Sequence, residues 1–202
     1  MAMSNVLTLI KNRRSIRRFI QRPVPQGTIR KILEGARWAP SAHHAQPWRI
    51  VVLEKKEIRK RLAQAMAEAL EKDLQEDDFP SEMIKEKIQR SIQRISEAPL
   101  SFLVCMSREG LRAYPDVRRR RFEEELALLG IGAAIQNMLL VAHSLGLGGC
   151  WLAAPLFCPQ TVSRAIEIPR GWVSVALILF GYPAERPKGP VRYPIEKIAL
   201  FS

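Results

Sequence analysis

Cysteine is scarce in this sequence, and its spacing indicates neither a metal site nor a disulfide framework. The three cysteines, Cys105, Cys150 and Cys158, form no C-x-x-C pair and have no histidine-rich partner segment. Structural zinc sites and disulfide scaffolds both depend on such groupings. We therefore expect no bound metal ion, and a cytoplasmic location with reduced thiols is the simplest interpretation.

Internal repeats, low-complexity tracts and clusters of glycine or proline are also missing. Their absence argues against fibrous and disordered chains. With 202 residues, of which 47% are hydrophobic, the chain can bury a core, and we expect one domain over residues 1–202. Residues 1–10 hold a short apolar stretch without the basic start and small-residue cleavage site of a signal peptide, so they predict an N-terminal helix.

Acidic residues are few relative to basic ones. The sequence has 20 Asp and Glu against 32 Lys and Arg, a formal net charge of +12 at pH 7. Such a field attracts phosphates, polycarboxylates, nucleic acid or acidic lipid. The charge alone does not choose among these partners.

One apolar run, residues 126–145, approaches the length needed to cross a bilayer. Gln136, Asn137 and His143 interrupt it, and the chain on both sides is charged. A helix that is apolar nearly all round also occurs as the central helix of a soluble domain. We therefore predict no membrane partner but a buried central helix over residues 120–145, with Gly146 as its stop.

Hydrophobic periodicity predicts a mixed α and β chain. Helical spacing recurs over residues 29–36, 58–70 and 84–95, and short apolar runs predict four strands at 49–53, 100–106, 148–152 and 173–180, the first of them buried. Residues 182–202 form a proline-rich, extended tail whose apolar members, such as Val191 and Ile198, need a surface to cover them. A partner subunit would supply that surface.

A dense basic segment follows the first helix. Arg13, Arg14, Ser15 and Arg17 place three guanidinium groups and a hydroxyl within five residues, and a fourth arginine comes next. Arginine offers planar, permanently charged donors that suit a phosphate, and the serine can add a further donor. A basic surface loop is the equal alternative.

A second segment, residues 39–48, combines two prolines with Ser41, His43 and His44. Prolines stiffen a loop, and its donors and acceptors could line a planar ligand. Paired histidines can also bind a metal, but adjacent side chains of an extended loop diverge and no carboxylate is suitably spaced. A simple polar loop is therefore favoured over a metal site.

A third segment, residues 146–155, approaches a strand through glycines and leaves it through Ala153 and Ala154. Small residues let a flat ligand come close to the backbone, so that a main-chain N–H makes the contact. A tightly packed buried strand would have the same sequence. The run does not match the strand-then-helix glycine pattern of dinucleotide folds.

Taken together with residues 181–187, these segments resemble the nitroreductase family of flavoproteins over nearly the whole chain. Within the family, the sequence is most similar to the nitroreductase-like domain fused to coenzyme F420 gamma-glutamyl ligase. The shared features are the paired histidines before Pro47, a Tyr-Pro-Asp at residues 114–116, and the Gly-Leu-Gly-x-Cys-Trp of residues 146–151.

The resemblance implies an α+β sandwich on a mostly antiparallel sheet, a homodimer joined through long central helices and swapped tails, and FMN held at the subunit interface. The matching residues are Arg13, Arg14, Ser15 and Arg17 for the phosphate, ribityl chain and ring; Pro40, Ser41, Ala42 and His44 on the loop that the other subunit lays against the flavin; Ala153 or Ala154 for flavin N5; and Arg192 for the phosphate. His43 and His44 are the expected substrate contacts. Many members have asparagine in place of His44 and an acidic residue followed by glycine in place of Ala153 and Ala154.

The implied activity is hydride transfer from NADH or NADPH through flavin N5 to a small organic acceptor such as a nitroaromatic or a quinone, with no catalytic side chain required. One alternative is a flavin-dependent reductase of a coenzyme F420 precursor. Alternatives of another class are a flavin-storage protein and a nucleic-acid-binding module that uses the arginine run 118–121.

Overall fold

The computed structural model describes residues 6–202, and residues 1–5 of the predicted N-terminal helix lie outside this range. Residues 6–202 contain six helices and four strands, with two helices before the first strand and two between the first and second strands. The helices are α1 Val6–Asn12, α2 Gln26–Arg37, α3 Lys56–Glu76, α4 Ser81–Ser96, α5 Val117–Ser144 and α6 Pro159–Ile166. The strands are β1 Trp48–Leu53, β2 Leu100–Ser107, β3 Gly148–Leu152 and β4 Trp172–Gly181, and three short 3-10 turns complete the set.

The four strands form one sheet in the order β1-β2-β4-β3, and every pairing is antiparallel. Both faces of β2 are covered because its side chains alternate between two helical layers. Phe102 and Val104 pack into the core beneath α2 and α5, whereas Leu103 and Cys105 pack beneath α3 and α6. The predicted α+β sandwich is therefore confirmed.

Strand β1 departs from its prediction as a buried strand. Only Leu53 of β1 is buried, and the other residues are half-exposed. The reason is its place at the edge of the sheet, where one neighbour is missing and the helical cover ends. An apolar run cannot distinguish a central strand from an edge strand.

Helix α5 begins three residues before its predicted start because Asp116 caps it. The Asp116 carboxylate accepts a hydrogen bond of 2.9 Å from the Arg119 N–H, and it lowers the cost of placing arginines in the first turn. The helix ends where Gly146 adopts a φ of +79°. Within residues 6–202, α5 is the one helix whose length and apolar composition would allow it to span a membrane, and 44% of its most apolar stretch is buried in the protein core.

The first part of the tail after β4 pairs with the body of its own chain, whereas residues 186–202 are exposed. The apolar side chains of this range are exposed, with Val191 at 98%, Ile198 at 72% and Phe201 at 84% exposure. Part of α5 is also uncovered, since Leu129 is 72% exposed. These surfaces are the ones expected to meet a partner subunit.

Candidate functional site

The basic segment that follows α1 runs along the free edge of β3. The Ile16 N–H donates a hydrogen bond of 3.0 Å to the Gly149 carbonyl oxygen, and Ser15 pairs with Gly149 as a parallel bridge. Ile16 is buried, whereas the arginines on either side remain accessible. The segment is therefore anchored by one apolar residue and directs its cations away from the sheet.

Arg13 and Arg14 line a cavity of about 650 Å³, which we call the Arg13 cavity. Its other walls come from His143 on α5, from the glycines that precede and begin β3, and from Arg186. Burial lowers the pKa of Arg13, and the charges of Arg192 and Arg14 lower it further. Like charges are thus gathered here, a condition that an anion would relieve.

The tail closes one side of the Arg13 cavity. The Arg14 guanidinium lies against Gly189, where an added Cβ would come within 2.5 Å of Nη2. The same guanidinium donates hydrogen bonds of 2.6 Å to the Lys11 carbonyl oxygen and of 2.9 Å to the Arg13 carbonyl oxygen. Within residues 6–202, Arg13, Arg14 and Arg192 form no ion pair. The structure therefore brings Arg192 to the predicted cluster, as three cations without an acidic partner.

His143 belongs to this site although sequence reasoning used it only as an argument against a lipid-facing helix. It lies on the last turn of α5 and lines the Arg13 cavity. Burial lowers the pKa of His143, and the charges of Arg13 and Arg14 add to the effect. The position of His143 in the sequence could have indicated this role. It is a polar residue at the end of an apolar helix, and the glycine-rich turn at residues 146–149 follows it.

Arg17 lies in a different cavity from Arg13 and Arg14. This second cavity, the Arg17 cavity, has a volume of about 700 Å³ and is also lined by Arg18 and by Arg90 and Arg94 of α4. Sequence reasoning missed the two α4 arginines, which are far from the basic segment in the chain. The predicted cluster is thus divided, with two arginines on the α5 side of the sheet edge and Arg17 on the α4 side.

Glu185 lies between the two cavities and lines both. Its Oε1 accepts hydrogen bonds from two consecutive backbone N–H groups, 2.6 Å from Arg17 and 3.2 Å from Arg18. This carboxylate fixes the segment to the tail. In the sequence, Glu185 was noted only as part of residues 181–187, and no role was predicted for it.

The loop with the paired histidines packs elsewhere, on the first half of α5. A Cβ added at Gly130 would come within 3.3 Å of the Pro40 carbonyl oxygen and of the Ser41 Cβ, and Ala42 lies in the same crevice. Gly130 and His143 are separated by about 20 Å of helix, at 1.5 Å per residue. One chain therefore does not bring this loop to its own Arg13 cavity.

The loop backbone is held in an unusual conformation. His43, His44 and Gln46 have φ values of 54°, 56° and 45°, in the left-handed region that non-glycine residues seldom adopt. The Gln46 N–H donates a hydrogen bond of 3.0 Å to Ser41 Oγ, and the Gln46 amide lies 3.1 Å from His44 Nε2. Both histidines are exposed, and these bonds hold them away from the body of their own chain.

The glycines of β3 are required by packing, although both also line the Arg13 cavity. A Cβ on Gly148 would lie 2.6 Å from Ile16, and one on Gly149 would lie 2.7 Å from Leu139. The tightly packed strand is therefore the correct interpretation at these two positions. Ala153 and Ala154 lie beyond the strand and are exposed, so their backbone is accessible to a ligand.

The arginine run 118–121 occupies the first turns of α5. Arg119 pairs with Asp116, and Arg121 pairs with Glu125 at 2.9 Å. These pairs describe a solvated helix face rather than a set of unpaired cations. Within residues 6–202, no three His, Cys, Asp or Glu side chains are close enough to bind a metal ion together, and the three cysteines are free thiols.

Comparison with known proteins agrees with this fold. The Nitroreductase family model matches residues 10–182. A protein of Thermus thermophilus named NADH dehydrogenase is 30% identical over 96% of this chain and 94% of its own length. A protein of Methanothermobacter thermautotrophicus, named as an NADH dehydrogenase/NAD(P)H nitroreductase, is 31% identical over 91% of this chain and 80% of its own.

Among solved structures, a nitroreductase of Desulfovibrio desulfuricans in complex with FMN is 28% identical, with a TM-score of 0.75 over 100% of this chain and 98% of that one. The family match and the names of these relatives identify a nitroreductase-like oxidoreductase. The chain belongs to the nitroreductase family.

Proposed function

We propose that this protein is an FMN-dependent oxidoreductase that transfers a hydride from NADH or NADPH to a small organic acceptor in the cytoplasm. The observation that carries the proposal is the Arg13 cavity, which is lined by Arg13 and Arg14. Arg192 is near enough for its charge to lower the pKa of Arg13. A nitroreductase that is 28% identical was solved with FMN, and relatives are named for NADH and NAD(P)H. These names support FMN and a nicotinamide donor here.

The residues of the site fit a phosphate-bearing flavin. Three guanidinium groups can neutralise a phosphate dianion, and a neutral His143 can donate a hydrogen bond to it. Ser15 follows Arg14 at the same sheet edge and offers a hydroxyl for the ribityl chain. Within residues 6–202, Glu185 is the only carboxylate that lines the Arg13 cavity. Its Oε1 accepts hydrogen bonds from two backbone N–H groups.

When bound, FMN would supply hydride transfer at N5. The protein then has to bind the flavin, orient its ring and stabilise the charge that develops on it. Arg17 and Arg94 lie together in the cavity on the α4 side of the sheet edge, and neither forms an ion pair within the described residues. A cation beside the pyrimidine edge stabilises the negative charge of a reduced flavin. We therefore assign this role to Arg17, assisted by Arg94.

We further propose that the active unit is a homodimer. The loop at Pro40 and His44 lies about 20 Å along α5 from the Arg13 cavity, so a complete site needs the loop of a second copy. The exposed apolar tail and the exposed Leu129 supply the surfaces that such a partner would cover. In this arrangement His43 and His44 contact the acceptor.

The acceptor is the least constrained part of the proposal. His43–His44 and the Tyr-Pro-Asp of residues 114–116 resemble the nitroreductase-like domain fused to coenzyme F420 gamma-glutamyl ligase. That resemblance supports an anionic acceptor, such as a coenzyme F420 precursor, as an alternative to neutral nitroaromatics and quinones.

The test is the visible absorption spectrum of the purified protein saturated with FMN, before and after anaerobic NADPH or NADH. We expect a bound flavin that bleaches, and Arg13→Ala should weaken FMN binding at least about tenfold because a charge-assisted contact is lost. Arg30→Ala is the control, since Arg30 is an exposed arginine of α2 outside the site. A protein that binds no FMN would contradict the proposal, and one that binds FMN but never bleaches would be a storage protein.

A further inference from the structure

A third cavity, between α3 and α4, adjoins the Arg17 cavity and has no role in holding FMN. We call it the α3–α4 groove. Its volume is about 710 Å³, and its lining combines three cations, three amides, a hydroxyl, one apolar residue and one acid: Lys56, Lys60, Arg61, Gln64, Gln89, Gln93, Ser96, Ile92 and Glu97. Cations therefore outnumber acids in the groove by three to one.

The cations of the groove are placed against local electrostatic preference. Lys56, Lys60 and Arg61 all lie in the first two turns of α3, where the helix dipole favours acids. Lys56 and Lys60 are one turn apart on one helix face, a spacing at which like charges repel. Within residues 6–202, none of the three forms an ion pair. An anion in the groove would relieve this repulsion.

Glu57 lies among these cations in the first turn of α3, three residues before Lys60, but within residues 6–202 it forms no ion pair with them. Further acids are concentrated at the far end of the same helix pair. Asp73, Glu76, Asp77 and Asp78 lie where α3 ends. About 20 Å of helix separates Lys60 from Asp73, beyond the screening length at physiological salt. Positive charge is therefore concentrated at the start of α3, and acidic residues are concentrated where α3 ends. The single acid that lines the groove, Glu97, accepts a hydrogen bond of 3.4 Å from Gln93.

A buried polar group also belongs to the groove. Ser96 lines it and is 7% exposed, and its hydroxyl has no hydrogen-bond partner within the described residues. Buried hydroxyls are normally paired, and the unpaired Ser96 hydroxyl is covered from solvent, so it can donate to a ligand oxygen in the groove only after its side chain rotates. This observation is independent of the charges on α3.

The groove lies next to the Arg17 cavity. Gln93 and Glu97 line both, because the last turns of α4 form the wall between them. A molecule whose reactive part lies beside Arg17 could extend its other end across this wall toward Lys60 and Arg61. In the proposed function, the FMN phosphate would be held on the other side of the sheet edge, in the Arg13 cavity.

We propose that the α3–α4 groove binds the phosphate groups of the substrate that exchanges hydride with the flavin. The proposal rests on the proposed function and adds a substrate class to it. Two sources share this chemistry, the phosphates of the nicotinamide donor and a phosphate on the acceptor. The basic residues of the groove would then set affinity for substrate without contributing to FMN binding.

The experiment compares Lys60→Ala/Arg61→Ala with the wild type in two anaerobic stopped-flow half-reactions on FMN-saturated protein. Both residues are exposed, so the variant is expected to fold. The control is Lys85→Ala/Lys87→Ala, which removes two exposed charges of α4 outside the groove. The donor arm measures flavin reduction by NADPH. The acceptor arm measures reoxidation by 4-nitrobenzyl phosphate and by its neutral counterpart, 4-nitrobenzyl alcohol.

We expect at least about a tenfold loss of apparent affinity in one arm, with the control within twofold of wild type. A loss confined to NADPH assigns the groove to the donor, and a loss confined to 4-nitrobenzyl phosphate assigns it to the acceptor. Unchanged affinity for both phosphate-bearing molecules would overturn the proposal, even if FMN binds and bleaches as proposed. Calorimetric titration of FMN-saturated protein with inorganic pyrophosphate tests the groove without turnover, because FMN then fills the Arg13 cavity. Binding to the variant as tight as to wild type would also overturn the proposal.

Discussion

Gly148 of β3 lies directly against Ile16: a Cβ built on the glycine would come within 2.6 Å of both the Ile16 Cβ and Cγ1. Ile16 is the buried residue that anchors the segment carrying Arg13, Arg14 and Arg17. The contact between Gly148 and Ile16 therefore helps to position the segment that carries Arg13, Arg14 and Arg17.

The first prediction concerns this contact. Gly148→Ala should force Ile16 outward and destabilise the protein by about 1–3 kcal/mol, the usual cost of overpacking. FMN affinity should fall as well because the arginine segment moves with Ile16. Urea unfolding and fluorescence titration with FMN measure the two effects. Gly27→Ala is the control, since no atom lies within 4 Å of that added Cβ. Equal behaviour of the two variants would show that the contact does not position the segment.

The second prediction is the titration of His143. Its pKa in the folded chain lies below the ordinary value of about 6.5 because burial and two arginines disfavour the charged ring. The unfolded chain then binds a proton first, so His143 contributes stability above about pH 6.5 that is lost as the pH falls below it. A phosphate dianion in the Arg13 cavity should raise this pKa. The chain has three histidines, and proton NMR can follow each ring with and without inorganic phosphate. An unchanged His143 titration would place the phosphate elsewhere.

The third prediction concerns the tail. Ile198→Asp with Phe201→Asp should convert the proposed dimer to monomers, because both side chains are exposed in the single chain and need an apolar partner surface. Analytical ultracentrifugation at micromolar concentration measures the change. Lys197→Asp, which alters charge but no apolar side chain, is the control and should remain dimeric. A wild-type protein that sediments as a monomer while holding FMN would refute the dimeric site.

The fourth prediction concerns His44. Its φ of 56° is one that asparagine tolerates better than most residues, so His44→Asn should leave the loop conformation intact. An imidazole can carry positive charge and an amide cannot, so the variant should favour neutral nitroaromatics or quinones over anionic acceptors. FMN binding and its reduction by NAD(P)H should persist. Stopped-flow reoxidation with matched neutral and anionic acceptors, from about pH 5.5 to 8, provides the measurement. Identical rates for all acceptors would remove His44 from the substrate site.

Local pattern was sufficient for the order of the elements. The periodicity of residues 58–70 and 84–95 and the short apolar runs at 100–106 and 148–152 each depend on neighbours in the chain, and the structure contains α3, α4, β2 and β3 at those places. Strand β1 shows the limit, because its apolar run contains no information about which strands flank it.

The composition of the site was harder to predict because it is assembled from distant segments. Arg90, Arg94 and His143 reach the basic segment only through the packing of α4 and α5, which no local motif encodes. The left-handed backbone at His43 and His44 also had no signal, since glycine is the residue that normally marks such positions. By contrast, the arginines at 13–17 were identifiable because their density is unusual in any context.

The spacing along α5 has a genetic consequence. If a complete site combines the Arg13 cavity of one copy with the Pro40–His44 loop of another, the two ends of one helix serve two different sites. A chain damaged at Arg13 and a chain damaged in the loop would then complement each other when coexpressed. Each mixed pair would contain one site built from two intact halves and one built from two defective halves. Two inactive alleles would together restore a fraction of the activity, which neither could produce alone.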